Sequence, residues 1–328
     1  MLMTRSIALF CLLAYAGQFH ARGQGCSDAG ACSAGAIGQL ELWSGPDATT
    51  PNYRNSARLG FSYAVGEKGT TITQVLSELN LGLGKRFALQ LKLPYVSTHG
   101  DLGSTNGVGD MFATTSYAFI HEAERNLSGA LGLRLPTGED NLRVPGYMDT
   151  NGGTRAYPMP YQTGLGTVDL VLGVRWRHKR YVASVAYQQV LTQDGNRNEF
   201  THISWNQDPI ASTYFESYQL RRGNDLIVRA QYAYGCGRLT LQPGALAIYH
   251  LQEDSRLNDN IRTVMSAERI VLVGSKGLTL NATMDLRFAI TDQWALEASF
   301  AAPVITRDVR PDGLTRESVT SMGVHYRF

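Results

Sequence analysis

The stretch Leu278–Ile290, LTLNATMDLRFAI, alternates without a break. Leu278, Leu280, Ala282, Met284, Leu286, Phe288 and Ile290 fall on one parity. Thr279, Asn281, Thr283, Asp285, Arg287 and Ala289 fall on the other. Successive side chains of a strand point to opposite faces, so this segment presents one wholly apolar face and one largely polar face. A soluble sandwich with its polar face in water shares that pattern. Strand number, strand length and the sorting of the loops separate the two architectures.

Similar alternation recurs over 55–65, 72–84, 87–96, 108–120, 126–135, 167–178, 180–192, 225–235, 238–252, 294–303 and 316–328, giving twelve strands with 278–290. Each is about as long as a tilted strand crossing a bilayer core. Tight connections at 84–86, 121–125, 179, 235–237 and 291–293 alternate with long ones at 97–107, 136–166, 193–224, 253–277 and 304–315; 66–71 is the modest member of the long set. Tight turns at one end and long loops at the other are the mark of a transmembrane antiparallel β-barrel, an all-β fold over 55–328. Apolar-parity aromatics such as Phe87, Trp176, Tyr181, Trp294 and Phe300 gather near strand ends, as interfacial girdles do.

Composition agrees. Charged residues are 18% of the chain, below the roughly 25% of soluble domains, as a lipid-facing belt requires. Thirty Lys and Arg against 28 Asp and Glu leave no charge excess for nucleic acid. Arg5, the apolar run Ile7–Ala16 and the small-x-small triplet Ala14-Tyr15-Ala16 predict a secretory signal over 1–23, with cleavage from 16 onward. The run is about half of what a membrane helix needs. Cleavage near Gly23 removes Arg5 and Arg22, leaving 28 basic and 28 acidic groups, a balance that predicts weak ion selectivity. Cys26 and Cys32 are a disulfide candidate in an exported chain. Cys236 stands alone. Residues 24–54, with Trp43, are either a lumen plug or a periplasmic tail.

If the apolar parity meets lipid, the opposite parity lines the lumen: Arg58, Glu78, Lys92, Asp110, Arg134, Asp169, Arg175, Arg177, Arg229, Asp285, Arg287, Glu297, His325 and Arg327. So many charges demand a wet or densely ion-paired interior. Twelve strands lie between the eight that side chains fill and the sixteen that leave an aqueous pore. The bore is therefore expected to be narrow.

Met322, Val324, Tyr326 and Phe328 share one parity at the C-terminus. They resemble the terminal strand signal of outer-membrane barrels, with Tyr326 and Phe328 as its core. That resemblance implies recognition by the barrel-assembly machinery and a last strand ending at the periplasm, which puts the long loops outside. Gly107-Val108-Gly109-Asp110 before one strand, Gly164-Leu165-Gly166-Thr167-Val168-Asp169 before another, and Leu133–Gly138 between them look similar to the barrel family of the phenol-degradation meta-pathway, a relative of fatty-acid-type transporters. This resemblance implies a channel for small, often hydrophobic molecules and carries over no ligand residues. The glycines permit close approach where strands begin; Asp110 and Asp169 face the lumen either to turn the chain or to touch a ligand or ion.

His202-Ile203-Ser204 matches the His-x-Ser pair of outer-membrane phospholipase, but it lies in a loop and is followed by Trp205-Asn206 instead of Asn-Gly. The remaining histidines show no metal-ligand spacing. No catalytic residue, metal or cofactor is therefore expected. The sequence reads as an outer-membrane channel for a small molecule, hydrophobic or aromatic ones included. The competing reading is a structural or accessory barrel docked on an outer-membrane protein partner.

Overall fold

The computed structural model describes residues 55–122, 124–148, 154–258, 268–313 and 316–328. The signal segment, Cys26, Cys32, Trp43 and the rest of 24–54 lie outside the described residues.

The described residues form sixteen strands: β1 (Ser56–Gly66), β2 (Thr71–Leu83), β3 (Phe87–Gly100), β4 (Gly103–Val108), β5 (Met111–His121), β6 (Arg125–Leu135), β7 (Asp169–His178), β8 (Tyr181–Val190), β9 (Asp225–Tyr232), β10 (Tyr234–Cys236), β11 (Leu239–His250), β12 (Asp254–Leu257), β13 (Arg269–Leu272), β14 (Gly277–Ala289), β15 (Trp294–Ile305) and β16 (Arg316–Arg327). Fourteen form one antiparallel sheet. Within it β4 runs on into β5, and β10 extends β9, so the wall has twelve staves. The ring closes where β16 pairs β1, from Ser56 opposite Arg327 to Gly66 opposite Arg316. Reciprocal hydrogen bonds between Asn55 and Phe328, 3.2 and 3.0 Å, finish that seam at the end of the barrel that carries the tight turns. A closed wall leaves no strand edge unpaired, which an open sheet in lipid could not achieve.

The two parities separate inside from outside. Leu59, Phe61, Phe87, Leu172, Trp176, Tyr181, Phe300 and Met322 are exposed on the outer wall, while Lys92, Asp169, Arg175 and Arg229 are buried within. A Leu or Phe left in water instead of an apolar phase loses roughly 1.5–3 kcal/mol. A continuous belt of them therefore calls for lipid.

Two connections differ from the sequence reading. The segment 97–107 is not a loop. β3 continues to Gly100 and returns as β4, with Thr98 opposite Thr105, because Ser97, Thr98, Ser104 and Thr105 keep pairing beyond the apolar band. Likewise 253–277 contains a small hairpin, β12 against β13. Both extensions carry polar or mixed residues, so the alternation that marks a membrane stave is absent from them.

Candidate functional site

The lumen is layered from the tight-turn end toward the loop end. The first is a polar vestibule. A pocket open in part to solvent lies there, walled by β1, β2, β3, β11, β14, β15 and β16. Arg58 bridges two carboxylates, donating from Nη1 to Glu78 and from Nε to Glu297, each at 2.8 Å. Glu78 also faces Lys92 Nζ at 3.6 Å, and His325 Nδ1 lies 3.0 Å from Glu297. Asp285 accepts from Arg229 at 2.5 Å and from Gln231 at 2.6 Å. Arg287 and the amides of Asn80, Gln90 and Gln242 complete the cavity wall. Arg175, Arg177 and Arg327 stand on the inward parity at the same end of β7 and β16.

Above the vestibule, the inward wall carries two apolar patches between polar residues such as Gln74, Thr279 and Asn281. Val171, Ala186, Ile227, Leu246 and Ile248 form one buried cluster across β7, β8, β9 and β11, with Ala130 packed against it. Ala64, Ile72 and Val319 form another on the facing wall.

The third layer is a latch made by loops folded into the mouth. Asp110 accepts backbone N–H groups of Gly138 and Leu165 at 3.2 and 2.9 Å, and Arg134 Nε lies 3.8 Å away. Asp169 is fully buried; it accepts from Arg134, from Gln188 at 2.5 Å and from Thr167 at 2.8 Å, with Arg222 at 3.5 Å. Arg222 also faces Asp225 at 3.7 Å. Burial opposes its charge, but Asp169, Asp312, Asp225 and Asp254 outweigh that and raise the Arg222 guanidinium above its ordinary value. His250 stands between Asp225 and Asp254, its two ring nitrogens 2.6 and 2.8 Å from their oxygens. Arg307 donates to Ser275 O at 2.6 Å and to Asp312 at 3.2 Å. Thus the connections after β6, β8, β11 and β15 are tied to one another and to the barrel wall.

An aromatic cap covers the latch. Tyr157, Tyr161, Phe200, Trp205 and Tyr214 are buried together, with Tyr157 and Tyr161 stacked at 5.3 Å. Trp205 Nε1 donates to Ala156 O at 2.8 Å, joining the two longest loops. Asp140, fully buried, accepts the Arg197 N–H at 2.5 Å and adds a second tie. Gly166 makes this possible: its φ is 73°, and a Cβ there would sit 2.2 Å from an Asp140 oxygen.

All fourteen residues read from the sequence as lumen candidates occupy the inward parity or its loop continuation, but they do not form one site. Asp110, Arg134 and Asp169 belong to the latch, and the other eleven to the vestibule. Between the two readings of Asp110 and Asp169, the geometry assigns both to holding loops: their oxygens are occupied by backbone N–H groups and side chains of the same chain. Sequence reasoning missed Arg222, Asp225, His250, Asp254, Arg307 and Asp312. All but Asp225 and His250 lie outside the barrel strands, and the partners that tie them across the mouth, Asp169 for Arg222, Asp225 for His250 and Ser275 for Arg307, are distant in sequence. The apolar patches were missed as well.

The His202-x-Ser204 pair is not arranged as base and nucleophile. Ser204 Oγ donates to Thr201 O at 2.7 Å, and His202 Nε2 lies 2.8 Å from Tyr214 O. Cys236 is an exposed free cysteine at a tight turn. Tyr326 packs on Trp294 at 4.5 Å and stacks with Phe328 at 5.9 Å on the outer wall.

No protein-family model and no curated protein matches the chain. Among solved structures, the COG4313 outer membrane channel from Pseudomonas putida F1 is similar at 14% identity and TM-score 0.52, covering 85% of this chain and 96% of that one. The NanC porin matches at 12% identity and TM-score 0.41, covering 84% and 100%. The CymD monoaromatic hydrocarbon channel matches at 10% identity and TM-score 0.43, covering 94% and 99%. At this identity, the likeness to the COG4313 channel establishes the architecture: a closed, twelve-stave antiparallel barrel of the outer-membrane type.

Proposed function

We propose that this chain is an outer-membrane channel for a small molecule, held shut at its extracellular mouth by its own loops. The observation that carries the reading is the lumen pocket at the turn end beneath the buried aromatic cluster of the loops. A barrel serving only as a scaffold has no need of a void. The shared outward parity of Met322, Val324, Tyr326 and Phe328 supports a periplasmic placement of the tight turns, with the barrel-assembly machinery as a partner in biogenesis. Membrane lipid is the partner of the outer wall.

The finer reading is a hydrophobic or aromatic cargo of the kind the phenol-degradation resemblance implies. It is supported by the apolar patch of Val171, Ile227, Leu246 and Ile248, which offers an apolar body no hydrogen bonds to break. The latch is the one feature that favours an accessory barrel, since a packed ion-pair lattice rigidifies. Planar-bilayer conductance decides between the two. The channel reading predicts discrete openings from the full chain or from a form lacking 24–54. Silence of both forms, with the barrel folded, overturns it.

A further inference from the structure

The charges facing the turn-end pocket are of both signs: Arg58 and Arg287 against Glu78, Asp285 and Glu297, with His325 alongside. Each of the three carboxylates is already engaged by basic groups of the chain. Glu78 has Arg58 at 2.8 Å and Lys92 at 3.6 Å, Glu297 has Arg58 at 2.8 Å and His325 at 3.0 Å, and Asp285 has Arg229 at 2.5 Å. An ion entering the pocket gives up part of its hydration and meets no excess of opposite charge in return. Between the ion pairs the lining is neutral and hydrogen-bonding. It consists of the amides of Asn80, Gln90 and Gln242 and the hydroxyls of Thr240 and Ser299. Gly60 and Gly323, opposed across the barrel seam, let the Arg58 guanidinium lie close against the wall, since a Cβ on either would stand 3.2 Å from it.

Two of these amides keep an oxygen unused. Asn80 Oδ1 and Gln242 Oε1 are buried and accept no hydrogen bond from the described residues. Gln242 is only 5% exposed, and Asn80 uses its other end, donating from Nδ2 to Ser56 Oγ at 3.1 Å. The two stand on β2 and β11, with β1, β16, β15 and β14 between them on the ring, so they meet the pocket from different sides. A buried acceptor without a donor is costly. The matching occupant therefore brings donors to both oxygens and no net charge. A hydroxyl donates once and accepts twice, and it reproduces the hydrogen bonds of a water that it displaces. Several hydroxyls on one frame serve both oxygens at once. We propose that the turn-end pocket is a binding site for a small neutral polyol, a compact molecule with adjacent hydroxyls such as a monosaccharide. The site goes beyond the channel reading and does not rest on it. The apolar patch above suits a different body, so passage through the lumen and residence in the pocket are separate claims.

The probes are glucose, glucuronate, protonated glucosamine and cyclohexanol. The first three share a hydroxylated ring and differ in charge; the last keeps a ring with one hydroxyl. Saturation-transfer NMR of the detergent-solubilised full chain reads weak binding of the kind that permits release. Glucose is expected to bind about threefold or more tightly than either charged sugar and than cyclohexanol. Gln242→Leu keeps a side chain of similar length without the acceptor and should weaken glucose binding about fivefold. Asn80→Ala should act in the same direction and serves alone if Gln242→Leu does not fold. Thr279→Val, on the inward parity of β14 but outside the pocket, should change nothing. Either charged sugar binding more tightly than glucose overturns the neutral site. Cyclohexanol binding as well as glucose overturns recognition by hydrogen bonds. Glucose binding that survives both Gln242→Leu and Asn80→Ala places it elsewhere and overturns the assignment. No binding of any probe means that water alone fills the pocket, and the proposal falls. None of these outcomes touches the channel reading, which stands or falls on conductance.

Discussion

The two ends of the lumen use the same residue types to opposite effect. At the loop end, Arg134, Arg222, Asp169 and Asp254 are buried, and ties cross from one loop to another or from loop to wall: Arg222 to Asp169, the Arg197 N–H to Asp140, the Gly223 N–H to Asp254 at 2.8 Å. At the turn end, Arg58, Glu78 and Glu297 are held by rigid neighbouring strands and surround a void. A buried ion pair adds little net stability over an apolar pair, but breaking one leaves a costly unpaired charge. The latch is therefore brittle, whereas the vestibule wall, framed by ladder hydrogen bonds on both sides, is tolerant.

The sharpest way to break this contrast is Arg222→Ala. It removes the guanidinium facing Asp169 and Asp225 and should cost the closed loops about 3–5 kcal/mol. Limited proteolysis should then cut within 191–224, while the heat-resistant barrel stays intact on gels. Gly166→Ala comes next. With φ at 73° and Asp140 in the way, it should loosen the same loops by about 1–3 kcal/mol, read as a lower urea midpoint for the same cleavage. Accessibility then compares the two ends directly. In a Cys236→Ser background, Gln242→Cys at the cavity wall should react with a small water-soluble thiol reagent about a hundredfold faster than Ser217→Cys, which is sealed under the cap. Equal rates would erase the distinction.

The smallest effect concerns Glu253, at the base of the β12–β13 hairpin. Its slight burial works against its charge, but the N–H of Lys276 at 2.8 Å, with Ser275 and Gly274, outweighs that and lowers its pKa below the ordinary 4.5. A carboxylate depressed in the folded state contributes stability that is present above its unfolded value and fades as pH falls through the folded one. Hairpin amide protection relative to Glu253→Gln should therefore persist at neutral pH and vanish in acid below 4.5.

The sequence shows the barrel because a membrane stave must carry one apolar face along its whole length. Leu278–Ile290 and the last strand state that rule residue by residue. The rule also finds the inward charges, since Arg58, Asp285 and Glu297 sit on the polar parity. It fails where both parities are apolar: Ala245, Leu246, Ala247, Ile248 and Tyr249 give no contrast, so the inward Leu246 and Ile248 could not be told from lipid-facing residues. It fails again beyond the membrane. Arg222 meets Asp169 across 53 positions, and nothing local marks the loop residue Arg222 as half of a pair. Gly166 and Asp140 are likewise ordinary turn residues until the two loops are seen in contact.

The claim that the loops form a latch over a hollow channel is tested most directly by single-channel recording of Arg222→Ala beside the unaltered chain. The latch predicts rare, brief openings in the unaltered protein and sustained conductance in the variant. Indistinguishable traces from the two, whether both silent or both open, would contradict it.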